Sequence, residues 1–148
     1  LISLKPVNEM NFNDTISLSL HDYQQNYVVS VVYSIAQCYI YRDNNDVFPF
    51  LIEFNNKPIG FILLDEDLNK KELLIWRLII DKHEQGKGYA KKIIKYVISL
   101  LKEINTYDYV TINSVEENEI MLSVINSLDF DYLGIDSYTK EKMFHYPL

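Results

Sequence analysis

The feature that most constrains this chain is the run from Leu73 to Lys92, LLIWRLIIDKHEQGKGYAKK. An apolar stretch of strand character passes through a polar loop, Asp81 to Gly88, into residues of helical period. From there Tyr89, Ile93, Val97, Leu100, Leu101 and Ile104 share one face, while Lys91, Lys92, Lys95 and Lys102 lie mostly elsewhere. At such a strand–loop–helix junction the first helical N–H groups have no intrahelical partner. Gly86 and Gly88 let the backbone turn and approach a ligand closely. Successive N–H groups then point into one concavity, and the helix dipole adds partial positive charge. This is an anion site suited to phosphate.

Charge is distributed to match. Between Arg77 and Lys102 there are seven basic residues against two acidic ones, so a chain of net charge −7 carries −12 outside this segment. A positive loop on an acidic protein suggests a polyanionic cofactor and argues against general nucleic-acid binding. The lysines of the helix are read equally well as its solvated face. With 148 residues, 48% of them apolar, the chain is expected to form one domain, 1–148, with a real core. A lone cysteine, Cys38, excludes an internal disulfide framework and a cysteine-cluster metal site. His21, His83 and His145 lack metal-ligand spacing, so no metal is expected. Tyr27 to Ala36 and Leu73 to Ile80 are too short for the roughly 20 residues of a membrane span. No export signal is visible, and a cytoplasmic, reducing setting is expected. The first residue is Leu1 and not Met, so a residue or more is expected to precede it.

Around the junction, Leu1 to Leu4 reads as a strand stopped by Pro6, and Asn8 to Leu20 and Tyr27 to Tyr41 as helices. Val47 to Phe54 and Ile59 to Leu64 form a hairpin across the turn Asn55 to Pro58. Asp65 to Lys71 is a charged turn, and Glu72 to Ile80 completes a meander. Tyr109 to Val115 is a strand, Asn118 to Leu128 a helix, and two short strands follow at Phe130 to Gly134 and Lys142 to Tyr146.

The loop does not supply the GxxxxGK[ST] of a P-loop. It lacks the third glycine of a dinucleotide fingerprint, where Lys91 stands, and it opens a helix where a kinase glycine loop would join two strands. Gln85-Gly86-Lys87-Gly88-Tyr89-Ala90 does match the Q/R-x-x-G-x-G/A signature, and with the element order it resembles the GNAT superfamily of acetyl-CoA-dependent N-acetyltransferases. Tyr33 to Tyr41, Pro49 to Asp67 and Trp76 to Lys92 are similar to bacterial spermine/spermidine (diamine) N-acetyltransferases. The resemblance implies an α+β fold, an α/β sandwich on a mixed, largely antiparallel sheet of six to seven strands flanked by about four helices.

It also implies roles for single residues. The strand before the loop splays from its neighbour, leaving Leu78 and Ile80 to pair with the pantetheine arm. The amides of Gln85, Gly86, Lys87, Gly88, Tyr89 and Ala90 hold the pyrophosphate, with Lys91 or Lys92 on other phosphates and Asn118 on the cofactor arm. Asn118 reads equally as a plain helix cap. The chemistry is aminolysis of a thioester, which needs a base for the ammonium, a donor for the oxyanion and an acid for the thiolate. The Ile80 N–H is the expected oxyanion donor. The tyrosine that many relatives carry in the next helix is Ile125 here, and their glycine is Asp129. Tyr132 or Tyr138 is then a candidate acid, and Glu72 or Asp81 a candidate base. Trp76 and Arg77 alternate along the strand, and Trp76 is expected in the core.

The expected activity is acetyl transfer to a small cationic amine, a polyamine such as spermine or spermidine, with Glu53, Asp65, Glu66 and Asp67 as candidate cleft acids. A catalytically silent acyl-CoA-binding module, or an enzyme for a peptide amine or an aminoglycoside, stays open. So does a homodimer packed through the aromatic carboxyl end (Phe144, His145, Tyr146), beside an internal strand there.

Overall fold

The computed structural model describes residues 1–148. Its strands are β1 (Ile2–Pro6), β2 (Val47–Phe54), β3 (Lys57–Asp67), β4 (Glu72–Ile80), β5 (Tyr109–Ser114), β6 (Asp131–Ile135) and β7 (Lys142–Pro147). Its helices are α1 (Phe12–Ile16), α2 (Val31–Ile40), α3 (Tyr89–Ile104) and α4 (Glu119–Asn126). The strands form one sheet in the order β1-β2-β3-β4-β5-β7-β6, antiparallel except where β4 meets β5. This is the mixed, largely antiparallel α+β sandwich that the resemblance implies, with seven strands where six to seven are expected.

Two apolar clusters make the layers. On one face Ile62, Leu64, Leu73 and Ile75 pack under Ile93, Ile94, Val97, Ile98 and Leu101 of α3 and Ile125 of α4. The opposite face is smaller: Phe61, Leu63 and Ile79 meet Val31, with Ile35, Leu18, Leu20 and Val28 around them. Helix α3 forms because its apolar residues recur every three to four positions. It ends at Asn105, which takes a left-handed φ of 56°.

Several boundaries differ from the sequence reading. Helix α1 is one short turn where thirteen residues, Asn8 to Leu20, were expected. The Asn8 carboxamide accepts from the amides of Met10 and Asn11, giving the backbone a turn in place of a helix. Downstream, the Ser19 N–H donates to Asp81 and its carbonyl accepts from Lys82, which ties this segment to the end of β4. Helix α2 begins at Val31, capped by the Ser30 hydroxyl on the Tyr33 N–H, so Tyr27 to Val29 is connecting chain.

Strand β3 runs on to Asp67 through the expected charged turn, because Asp65, Glu66 and Asp67 pair with Leu74, Leu73 and Glu72. These acids therefore sit at the far end of β4 from the loop and do not line a cleft beside it. Strand β7 is internal, between β5 and β6, and Phe144 belongs to the main core.

The alternation along β4 is broken once. Leu63 pairs with Arg77 and Leu64 with Ile75, so Trp76 is an extra, bulged residue. The bulge puts Trp76 and Arg77 on the same side, toward α2: Trp76 lies beside Tyr41, and Arg77 bonds to Gln37. Trp76 is half-buried against the smaller cluster. Beyond the bulge, Leu78 and Ile80 face the α3–α4 layer.

Candidate active site

Parallel pairing between β4 and β5 ends at Ile75↔Ile112, although β4 continues to Ile80 and β5 to Ser114. The two strands splay, and the gap between them lacks a ladder. Which backbone groups face the gap follows from register. The Asp81 N–H donates to the Ile59 carbonyl at 2.9 Å. That makes Gly60↔Ile80 a pair that exchanges no hydrogen bonds, and strict alternation gives Ile62↔Leu78 the same status. The N–H and C=O groups of Leu78 and Ile80 thus point away from β3, into the gap. Gly60 holds β3 close at this place, since a Cβ there would lie 2.5 Å from the Ile79 carbonyl oxygen.

The loop that follows is a row of free donors. None of the backbone amides from Gln85 to Lys91 donates to any acceptor in the chain. Gly86 and Gly88 both have φ of 79°, the left-handed region, and Gly88 caps α3 without a side chain to cover its first amides. The loop is braced from behind. Glu84 is buried and accepts hydrogen bonds from Lys57 and, at 2.8 Å, from Lys87. Those two ammonium groups hold its carboxyl at about 2, well below the usual range.

A cavity of about 250 Å³ spans this surface, bounded by Leu78 and Ile80 of the gap, the loop and start of α3, and Asn118, Met121 and Val124 around α4. Leu78, Ile80, Gln85, Gly86, Gly88, Tyr89, Ala90, Lys91 and Asn118 all line it. The Lys87 side chain does not, being turned back to Glu84. Lys92 lies over the rings of Phe54 and Tyr89. Asn118 caps α4 through Oδ1 on the Met121 N–H, 3.3 Å away, while standing on the cavity wall. Its two readings are thus compatible.

A second cavity, about 280 Å³, opens on the other side of the splay. Its polar lining comes from Arg77, Asn113, Ser114, Thr139 and Glu141, and it shares Tyr27, Val28, Leu78, Asn118 and Met121 with the first. The two cavities adjoin at these shared residues. Tyr27 is the one ionisable side chain common to both. Neither Tyr27 nor Glu141 was singled out from the sequence: Tyr27 falls at the edge of an apolar run, and Glu141 in a polar stretch without pattern.

The acid and base candidates stand elsewhere. Glu72 is at the opposite end of β4 from Ile80, paired with Tyr109 and Asp67. Tyr132 lies on the outermost strand with its ring against Phe144, and Tyr138 is almost fully exposed. Both oxygens of Asp81 are engaged by the amides of Ser19 and His83. Ile125 is fully buried in the main core and lines neither cavity.

Residues 12–130 match the model of the Acetyltransferase (GNAT) family. The chain belongs to that family. Over 96% of its length the acetyltransferase is 24% identical to a probable spermine N(1)-acetyltransferase of Bacillus subtilis subsp. natto, covering 95% of that protein. Among solved structures its fold is similar to the ribosomal L7/L12 alpha-N-protein acetyltransferase in complex with coenzyme A (TM-score 0.83, 13% identity, 99% of this chain and 94% of that one). It is also similar to spermidine N-acetyltransferase from Vibrio cholerae in complex with CoA and spermine (TM-score 0.78, 17% identity, 99% and 95%). No helix of the acetyltransferase is long and apolar enough to cross a membrane.

Proposed function

We propose that this acetyltransferase moves an acetyl group from acetyl-CoA to the primary amine of a small cationic acceptor, a polyamine such as spermine or spermidine, by direct attack of the amine on the thioester. The observation that carries the reading is the splay of β4 from β5 at Ile75↔Ile112, beside the unpaired amides of Gln85 to Lys91. A free strand edge suits an amide-bearing arm, and a row of free N–H groups at a helix start suits a diphosphate. The curated relatives favour a polyamine, and the net charge of −12 outside the loop segment attracts one.

In this reading the amides of Gln85, Gly86, Lys87, Gly88, Tyr89 and Ala90 bind the pyrophosphate. Lys91 adds charge, and Leu78 and Asn118 hold the arm. When bound, acetyl-CoA supplies a thioester carbonyl that an amine can attack. The Ile80 N–H is the donor for the charge developing on that carbonyl oxygen. Tyr27, at the junction of the two cavities, is positioned to give a proton to the departing sulfur.

The test is thiol release from acetyl-CoA with spermine, spermidine and putrescine, set against a peptide with a free amino end and an aminoglycoside. Turnover highest with a polyamine is the expected result. Turnover confined to the peptide or the aminoglycoside reassigns the acceptor, and cofactor binding with no turnover on any amine leaves a binding module.

A further inference from the structure

The second cavity is electrically simple. Among its lining side chains Glu141 is the only carboxylate and Arg77 the only cation. They are not an ion pair: no oxygen of Glu141 comes within 4.0 Å of the guanidinium. Arg77 is held from the α2 side, where Nη2 donates to Gln37 Oε1 at 3.0 Å and the guanidinium lies 4.5 Å from the centre of the Trp76 ring. Its other terminal nitrogen, Nη1, is buried and has no partner. A buried guanidinium nitrogen left unpaired is costly. The cavity thus presents an acceptor and a donor that do not satisfy each other, with space between them.

We propose that Glu141 receives the acceptor's ammonium group in this cavity and takes a proton from it, with Arg77 as its positioning residue. The inference rests on the amine acceptor proposed above and assigns the base that Glu72 and Asp81 are placed too poorly to be. The step balances simply. The ammonium gives one proton to the Glu141 carboxylate, leaving a neutral amine with its lone pair and a carboxylic acid. The lone pair forms the new C–N bond as the C–S bond breaks; the sulfur takes that electron pair and the Tyr27 phenol proton, and the second nitrogen proton restores the phenol. Glu141 then returns its own proton to solvent.

Charge around Glu141 suits this role. Burial pushes its carboxyl above the usual range and Asp136 adds to that, while Arg77 and the Thr139 hydroxyl pull it down. Tyr27 is the remaining ionisable group on the cavity wall. A base raised toward neutrality takes a proton more effectively than an ordinary carboxylate. Arg77 opposes that rise.

Calorimetric titration of spermidine into the protein without cofactor gives a readout separate from turnover. E141Q should weaken binding at least about tenfold and lower kcat/KM by roughly 10²–10⁴, while the thermal shift given by acetyl-CoA is kept. E141D, which retains the charge, should retain spermidine binding. R77Q should move the acidic limb of the kcat/KM profile to higher pH, because losing the cation raises Glu141. Spermidine binding and turnover in E141Q within about threefold of wild type, with an unchanged pH profile, would overturn the assignment, as would a wild-type protein that binds no amine. Binding that depends on Glu141 in a protein that acetylates nothing would sink the transferase reading and leave this site standing.

Discussion

Gln85 reaches back across the turn and donates from Nε2 to the carbonyl of Ile80 at 2.9 Å. The same carboxamide exchanges two hydrogen bonds with Gln24, at 2.8 and 2.9 Å. One side chain therefore fixes the loop to the strand end and to the segment leading into α2. It also occupies the carbonyl of Ile80 while leaving its N–H toward the gap. Q85A should lower stability by about 1–3 kcal/mol, since it orphans partners at a half-buried place. It should weaken acetyl-CoA binding as the loop loosens. Urea unfolding and a cofactor titration check the two effects separately; tight binding in a destabilised protein would show that the loop keeps its shape without Gln85.

Nothing lies within 4 Å of the position a Cβ would take at Gly88, so crowding is not what requires glycine there. The backbone is, at φ of 79°. G88V should therefore cost roughly 1–2 kcal/mol and shrink the thermal shift that acetyl-CoA produces. That shift is worth ~2.7 kcal/mol at a hundred times the dissociation constant in the unaltered protein. G88N should do less harm, because asparagine tolerates left-handed backbone. Equal damage from both would point to contact with the ligand as the reason for glycine.

Glu84 titrates at about 2 when folded, against an ordinary value of 4.5, because Lys57 and then Lys87 hydrogen-bond its charged form. A lowered folded pKa contributes stability that is fully present above pH 4.5 and fades as pH falls toward 2. Thermal midpoints of the wild type should drop over that window. E84Q should start lower and show a flatter profile there. Parallel profiles for the two proteins would mean the Lys57–Glu84–Lys87 bridge is screened out by solvent.

Y27F should reduce kcat by roughly 10²–10⁴ if the phenol delivers a proton, with acetyl-CoA affinity nearly unchanged. A rate within a few fold of wild type would reduce Tyr27 to wall material between the cavities.

Restoring a tyrosine at the position where relatives carry one should not help. Ile125 is fully enclosed in the main core, so I125Y is expected to overpack it at a cost of about 1–3 kcal/mol. No gain in kcat is expected. A gain of tenfold or more would mean that α4 turns its side chain toward the cavities.

How much of this was legible beforehand depends on the range of the signal. The loop and α3 announce themselves locally, through two glycines and a 3.6-residue period, and Gln85, Gly86, Gly88, Tyr89, Ala90 and Lys91 stand on the cavity wall there. Asp129 shows the same locality: it stands where the family resemblance implies glycine and takes φ of 62°, which aspartate tolerates. The rest is tertiary. Tyr27 and Val28 continue the apolar run of α2 in sequence, and only the Ser30 cap separates them from the helix and leaves them at the two cavities. The bulge at Trp76 reverses which β4 side chains face α3, so alternation counted from Glu72 misplaces everything beyond it. Glu141 shares a cavity with Arg77 across 64 positions of chain, a distance no periodicity spans.

The seam between β4 and β5 is only the four pairs from Glu72↔Tyr109 to Ile75↔Ile112. Strands β1 to β4 on one flank and β5 to β7 on the other are thus zipped together at one end and open like a clothes-peg at the other. A guest wedged in the open jaw and pairing with both flanks through its own amides would become, mechanically, a missing rung. Rigidity of the whole sheet is then a property shared by the protein and whatever it is holding.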